Sequence, residues 1–266
     1  MNQIILYNTA NFIFNRVFPT SIQLFSGTQD NHNGIASIEK VESIRRRLLS
    51  QSAFGISFNP YKVLGIITEG TCSAMALDFA SSYAKCREDL LKKIIEINES
   101  TQSIPKFLLL FEIKKLGESF QTSNEEMRIR QAAYDTIEVL SMSEDTDISR
   151  DKIQSIANYH NFEIDFTTDI INAEMLSCPE DIREYISLPN GIYLLRTIKP
   201  AQNEKLEEYG HSTVYIQEDH CKVFYDPNRG AYDLTDEDLA SKFFTIFQTQ
   251  WLMYQNNKIR FYRLSA

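Results

Sequence analysis

The sequence predicts an α+β fold in which a helical N-terminal part packs against a C-terminal antiparallel β-sheet. Three observations carry that expectation. Between residues 35 and 190 apolar side chains recur at intervals of three and four, the period of a helix buried on one face. After the turn Leu188-Pro189-Asn190-Gly191 the chain changes to short runs rich in β-branched and aromatic residues, as strands are. With 43% hydrophobic residues among 266, the chain also has enough apolar material for one large core, or for two small ones sharing a cleft. Helices that precede strands, rather than alternate with them, put a candidate cleft near residue 190.

Residues 1–34 read as an N-terminal arm of uncertain order, closed by the loop-forming run SGTQDNHNG at 26–34. The remaining residues, 35–266, read as one catalytic-sized domain with a helical part at 35–190 and a sheet part at 191–266. Ile38, Val41, Leu48 and Leu49 mark the buried side of a first helix, whose outer face carries Arg45, Arg46 and Arg47; a solvated face explains that triplet better than a phosphate grip. A long helix runs from about Cys72 to Ile97 after Gly70, with Cys72, Ala76, Phe79, Tyr83, Cys86 and Leu90 on one stripe. Ser103 with Pro105, and the capping pair Ser123 and Glu126, announce two more helices. Others are expected from Ile148 to His160 and from Pro179, after the pair Ser177 and Glu180. GIYLLRTI, HSTVYIQ, CKVFYD and KIRFYRL are the predicted strands. Before the last of them Thr235 and Asp238 open a helix with Leu239, Phe243, Phe247 and Trp251 on its buried side.

A formal net charge of -9 gives no overall field to attract nucleic acid or anionic lipid, so neither is an expected partner. No run of apolar residues approaches the roughly 18 needed for a membrane span. The N-terminal MNQIILYNTANFIF lacks the basic start and cleavage site of a secretory signal, which suggests synthesis as a cytoplasmic protein. The four cysteines, Cys72, Cys86, Cys178 and Cys221, are scattered and form no CxxC pair, which suits a reduced compartment and speaks against a zinc-thiolate site. Phosphate-binding GxxxxGK[ST] and GxGxxG loops and the HExxH metal motif are all missing, so no cofactor and no metal is expected.

What remains is a cysteine, a histidine and an aspartate. Cys72 stands at the first turn of the long helix, where backbone N–H groups and the helix dipole favour a thiolate. Taken alone, its place on the apolar stripe favours core or cap-adjacent packing, and Cys86, deeper in the same helix, reads as core. His211 opens a strand after Gly210, and the next strand ends at Asp226. A hairpin with Glu218 and Asp219 at its tip puts His211 opposite Asp226, Val214 opposite Val223 and Ile216 opposite Cys221. Pairing shifted by two residues puts Asn228 there instead, and an amide can orient an imidazole in a similar way. Asp226-Pro227-Asn228-Arg229-Gly230 is also a plain turn sequence.

Taken together, these residues resemble the papain-like cysteine protease fold, and most closely the YopT/AvrPphB family of bacterial effector proteases. GHSTVYIQ followed by VFYDPNRGAY carries the likeness, with GTCSA as its weaker partner. The separation of Cys72 from His211 is 139 residues, within the roughly 130 to 150 of papain-like enzymes. The resemblance implies Cys72 as nucleophile, His211 as general base and acid, and Asp226 as the orienting group. It implies a host protein as substrate and delivery from the bacterial cytoplasm into a host cell by a specialised secretion system. The sequence departs from the papain pattern where a Gln or Asn usually completes the oxyanion hole: Ile66 and Ile67 stand there, leaving Thr68 or Asn59 as candidates beside the N–H of Cys72.

The expected activity is therefore that of a thiol hydrolase acting on a protein through an acyl-enzyme. Glutamine deamidation or acyl transfer by the same triad is the alternative, and a non-catalytic helical interaction protein is the alternative of another class.

Overall fold

In a computed structural model of the chain, residues 22–27, 34–35, 37–50, 57–58, 67–68, 71–99, 103–120, 124–135, 137–138, 147–166, 188–199, 209–243 and 258–266 are described. The elements, in chain order, are β1 (Gln23–Ser26), β2 (Gly34–Ile35), α1 (Ile38–Ser50), β3 (Ser57–Phe58), β4 (Ile67–Thr68), α2 (Cys72–Ile97), α3 (Lys106–Phe120), α4 (Asn124–Asp135), β5 (Ile137–Glu138), α5 (Asp147–Tyr159), β6 (Glu163–Asp165), β7 (Gly191–Lys199), β8 (Tyr209–Glu218), β9 (Cys221–Asp226), β10 (Gly230–Asp233), a helix α6 at residues 237–243, and β11 (Lys258–Ser265). The protein is α+β. Among the described residues, five helices lie between β1 and β6 in the chain, and β1 together with β6 to β11 forms an antiparallel sheet of seven strands in the order β1-β10-β9-β8-β7-β11-β6.

The long helix α2 organises the packing. Its first three turns, CSAMALDFASSY, are nearly free of charge and rich in alanine, so the backbone can lie close to neighbours on several sides. Ala74, Met75, Ala76, Leu77, Phe79, Ala80 and Tyr83 are all buried there, against β8 and β9 and between α3 and α4. From Lys85 onward the helix becomes polar and runs out along the surface, with Ile97 85% exposed at its end. Phe79 stacks on Tyr225 of β9 at 4.2 Å between ring centroids, and Phe25 of β1 leans on both rings at 6.1 and 5.7 Å.

β1 lies within the stretch that the sequence groups with the N-terminal arm, yet it is the edge strand of the main sheet beside β10. β6 likewise joins the sheet from within the helical stretch, against β11. The helices at 38–50, 72–97 and 147–159 fall where apolar spacing places them. The short strands β1 to β6 were not expected, because two to four residues carry too little periodicity to read. The helix expected from Pro179, together with Ser177, Cys178, Phe247 and Trp251, lies outside the described residues.

Two expectations require correction. The hairpin between β8 and β9 pairs Val214 with Tyr225, Ile216 with Val223 and Glu218 with Cys221, so its tip is Asp219-His220 rather than Glu218-Asp219. The pairing is the one shifted by two residues, and it leaves every side chain on the face first assigned to it, since strand faces alternate with a period of two. At α6 the cap is Asp236, whose Oδ1 accepts the Leu239 N–H at 3.0 Å. Thr235, expected to cap, instead donates to Asp233 and accepts the Lys222 N–H, tying the start of α6 to β9.

Gly230 opens β10 with φ of +106° against β1, where an added Cβ would lie 1.8 Å from the Phe25 carbonyl oxygen. Only glycine adopts this backbone cheaply, and here no room exists for any other residue. Gly230→Ala is expected to lower the unfolding free energy by about 3 kcal/mol, measured by chemical denaturation. A change under ~1 kcal/mol would show that β1 does not depend on this contact.

Candidate active site

Cys72 is the first residue of α2, and that helix has an unusual start. Thr71 occupies the N-cap position without capping: its hydroxyl turns to Met75 Sδ at 3.2 Å. The acceptor comes from α4, where Gln131 Oε1 receives the N–H groups of both Ser73 and Ala74 at 3.1 Å. Ser73 Oγ lies 2.9 Å from Ser212 Oγ, which brings this turn against the beginning of β8.

The residue before Ser212 is His211, 7% exposed, and its Nε2 lies 2.8 Å from Asp226 Oδ1. The observed register, continued past Val214, sets His211 across from Asn228, so Asp226 is its diagonal neighbour on the same face. Diagonal pairs have Cα atoms about 7 to 8 Å apart, a gap that an imidazole and a carboxylate together span. Asp226 is fixed in turn by the Asn228 N–H, which donates to the same Oδ1 at 2.8 Å. The turn reading and the orienting reading of Asp-Pro-Asn-Arg-Gly thus describe one structure. The turn geometry that Asn228 completes is what aims the carboxylate at His211.

With Nε2 engaged by Asp226, the hydrogen bond between His211 and Cys72 falls to the other ring nitrogen. The N–H of Ser212 donates to the same sulfur. Burial alone would push the imidazole toward neutrality, but the charge and hydrogen bond of Asp226, helped by Cys72, hold it protonated up to about 10. Burial would also raise the Cys72 pKa. The His211 hydrogen bond and charge outweigh it, with the Ser212 N–H, and bring the thiol below 9.0. Asp226 follows the same pattern, its burial offset by His211, Arg229 and the Asn228 N–H, so that it stays ionised. These contacts favour the thiolate relative to a free cysteine, and Cys72 retains partial solvent access.

The oxyanion candidates fare differently. Asn228 sits exposed in its turn and contributes its backbone N–H to Asp226. Thr68 lies in β4, a two-residue strand paired with β2 and packed beside α4. Asn59 lies outside the described residues. Gln131 was missed, although it interrupts the apolar stripe of Met127 and Tyr134 on α4 and is only 7% exposed. A buried amide on an otherwise apolar helix face is the signal that identifies it.

The other described cysteines and histidines have ordinary settings. Cys221 is buried, with burial pushing its thiol up to about 12, and Cys86 is half-buried with its pKa raised first by burial and then by Glu112 and Asp89. His160 packs inside with its Nε2 2.6 Å from the Tyr134 hydroxyl, and burial lowers its pKa to about 3. His220 is exposed at the hairpin tip. Among the described residues no group of three or more His, Cys, Asp or Glu is placed to hold a metal ion.

A cysteine opening a helix, opposite a His-Asp pair on an antiparallel sheet, is the layout of the papain-like class to which the motifs are similar. Among solved structures, the chain is similar to the Pseudomonas avirulence protein AvrPphB, with 11% identity and a TM-score of 0.38 over 70% of this chain and 95% of that one. It is also similar to PatoxP, a cysteine protease-like domain of the Photorhabdus asymbiotica toxin PaTox, with 13% identity and a TM-score of 0.31 over 85% of this chain and 58% of that one. No family model and no curated protein matches the chain.

Among the described thiols, Cys72 is expected to be the most reactive. At pH 6, iodoacetamide is expected to label Cys72 at least about tenfold faster than the thiols of the denatured chain, and His211→Ala is expected to remove that advantage. Peptide mapping of the labelled protein reads the result. Equal rates in native, denatured and His211→Ala samples would exclude an activated thiol.

Proposed function

We propose that this protein is a cysteine hydrolase of the papain-like type that cleaves an amide bond of a protein substrate. The supporting observation is the continuous hydrogen-bonded line from Asp226 through His211 to a partly accessible Cys72 at a helix start. In this reading the Cys72 thiolate attacks the carbonyl carbon and the oxygen takes up negative charge. The N–H of Cys72 is one donor to that oxygen, and Thr68, on the strand beside α4, is the candidate for the second. His211 then gives its proton to the leaving nitrogen, the C–N bond breaks, and a thioester remains on Cys72. A water loses its proton to His211, attacks the thioester, and frees the acid and the thiolate. Asp226 keeps the ring oriented and stabilises its cation throughout.

A protein substrate fits the acidic chain, whose net charge of -9 disfavours nucleic acid. No helix among the described residues is long and apolar enough to cross a membrane. The likeness of GHSTVYIQ and VFYDPNRGAY to effector proteases supports a host protein as the target and delivery from a bacterium by a secretion machine.

The test is intact-mass analysis of candidate host proteins incubated with wild type and with Cys72→Ala. Wild type is expected to give a fragment pair whose masses sum to the substrate plus one water, and the variant none. A gain of about 1 Da without fragments would instead identify a deamidase. Turnover is expected to be bell-shaped in pH. It rises as Cys72 ionises below 9.0, and falls as His211 loses its proton near 10 and can no longer serve the leaving group. His211→Ala and Asp226→Asn should each lower the turnover number by about 10²-fold or more. Full activity in either variant would overturn the triad.

A further inference from the structure

The amide that fastens the nucleophile's helix is itself held by a charge. Gln131 is buried on α4; its Oε1 takes the N–H groups of Ser73 and Ala74, and its Nε2 donates to Asp135 Oδ1 at 2.9 Å. Two N–H donors opposite one end of the amide and a carboxylate opposite the other leave only one sensible orientation for the side chain. A plain helix cap needs neither a second helix nor a carboxylate behind it; Ser, Thr, Asp or Asn at position 71 would serve, and the Thr71 hydroxyl is turned away.

We propose that Gln131 and Asp135 form a positioning pair for the Cys72 thiol, in which the Gln131 amide anchors the first turn of α2 and Asp135 both aims that amide and sets a negative charge against the thiolate. The inference rests on the catalytic reading of Cys72. Its physical logic is moderation. Gln131 occupies two of the helix-terminal N–H groups that would otherwise attract the thiolate, and Asp135 opposes the same charge. A thiolate stabilised too strongly is a poor nucleophile, since intrinsic reactivity falls with pKa. The groups that face Cys72 then have opposed effects. His211 on β8, with Asp226 of β9 behind it and Arg229 in the next turn, favours the ionised pair, while Asp135 on α4 disfavours it. Further along α2, Asp78 is already paired with Arg130 of α4.

The test is the pH dependence of Cys72 alkylation by iodoacetamide in the full chain, with thermal unfolding of each variant as a control. Asp135→Asn keeps an acceptor for Gln131 and removes the charge. It is expected to shift the rate profile toward acid, so that alkylation below the wild-type midpoint rises on the order of threefold. Gln131→Glu keeps the acceptor for Ser73 and Ala74 but adds a second negative charge; it is expected to shift the profile the other way, with a loss on the order of threefold at the same pH. Opposite shifts support the pair. Profiles that coincide with wild type, whatever happens to the melting temperature, reduce Gln131 to a structural cap and overturn the proposal. If Gln131→Glu fails to fold, Asp135→Asn decides alone, because Asp135 lies at an exposed helix end. His211→Ala separates the two readings. If it leaves alkylation unchanged, the catalytic assignment falls; if it slows alkylation while Asp135→Asn shifts nothing, only the positioning role falls.

Discussion

A carboxylate and an imidazole buried side by side constrain most of this fold. Asp226 is 2% exposed and His211 7%, and an isolated charge at either place would cost several kcal/mol in lost hydration. Each is tolerable only because the other is 2.8 Å away, and only while backbone groups hold that distance. The constraint therefore spreads outward. It requires a hairpin register that makes the two residues diagonal neighbours, and a tight turn after Asp226 whose Asn228 N–H supplies a second donor. It also requires a reversal into β10, where Gly230 admits the close approach of β1. Gln23 completes the enclosure from β1, its amide donating to the Arg229 carbonyl at 2.9 Å. An edge strand and a five-residue turn thus serve a geometry that lies two strands away.

The helix opposite answers a different demand. The start of α2 has to reach the sheet closely enough for Ser73 to meet Ser212 and for the Cys72 sulfur to receive the Ser212 N–H. Alanine at 74, 76 and 80 permits that approach, while Phe79 and Tyr83 fill the space farther along, where Phe79 stacks on Tyr225. The aromatic contact is one turn pair away from the thiol and on the strand that carries Asp226. Packing of Phe79 on Tyr225 and placement of Cys72 near His211 are therefore parts of one rigid-body relation between α2 and the β8–β9 hairpin.

These two demands explain which features could be read from sequence. The helices were legible because each hides a long stripe, and α2 and β9 were located to the residue by the turns that flank them. Cys72 and Asp226 were read as candidates because each sits at an element boundary, where residue type says more about chemistry than about packing; His211 was read as opening its strand, whereas β8 begins two residues earlier, at Tyr209. The β8–β9 register was less so. A shift of two residues keeps every apolar side chain on its face, so hydrophobic pattern cannot distinguish the two pairings, and only turn geometry chooses Asp219-His220. Gln131 was legible only as an amide on an otherwise apolar helix face, which marks it as partnered without naming the partner. Its partners lie 57 and 58 residues away on α2, and nothing local to α4 reveals that an amide there meets a helix end.

The missing amide before Cys72 takes on a different sense beside that contact. Ile66 and Ile67 stand where papain-like sequences commonly carry Gln or Asn, and β4, which begins at Ile67, packs against α4. The Gln131 side-chain amide reaches the start of α2 from α4, with its oxygen turned to the helix and its nitrogen to Asp135. In that orientation it serves the nucleophile's backbone and not a substrate oxygen. In the proposed reaction only the Cys72 N–H at this helix start would meet a developing oxyanion, since the Ser73 and Ala74 N–H groups are already taken by Gln131.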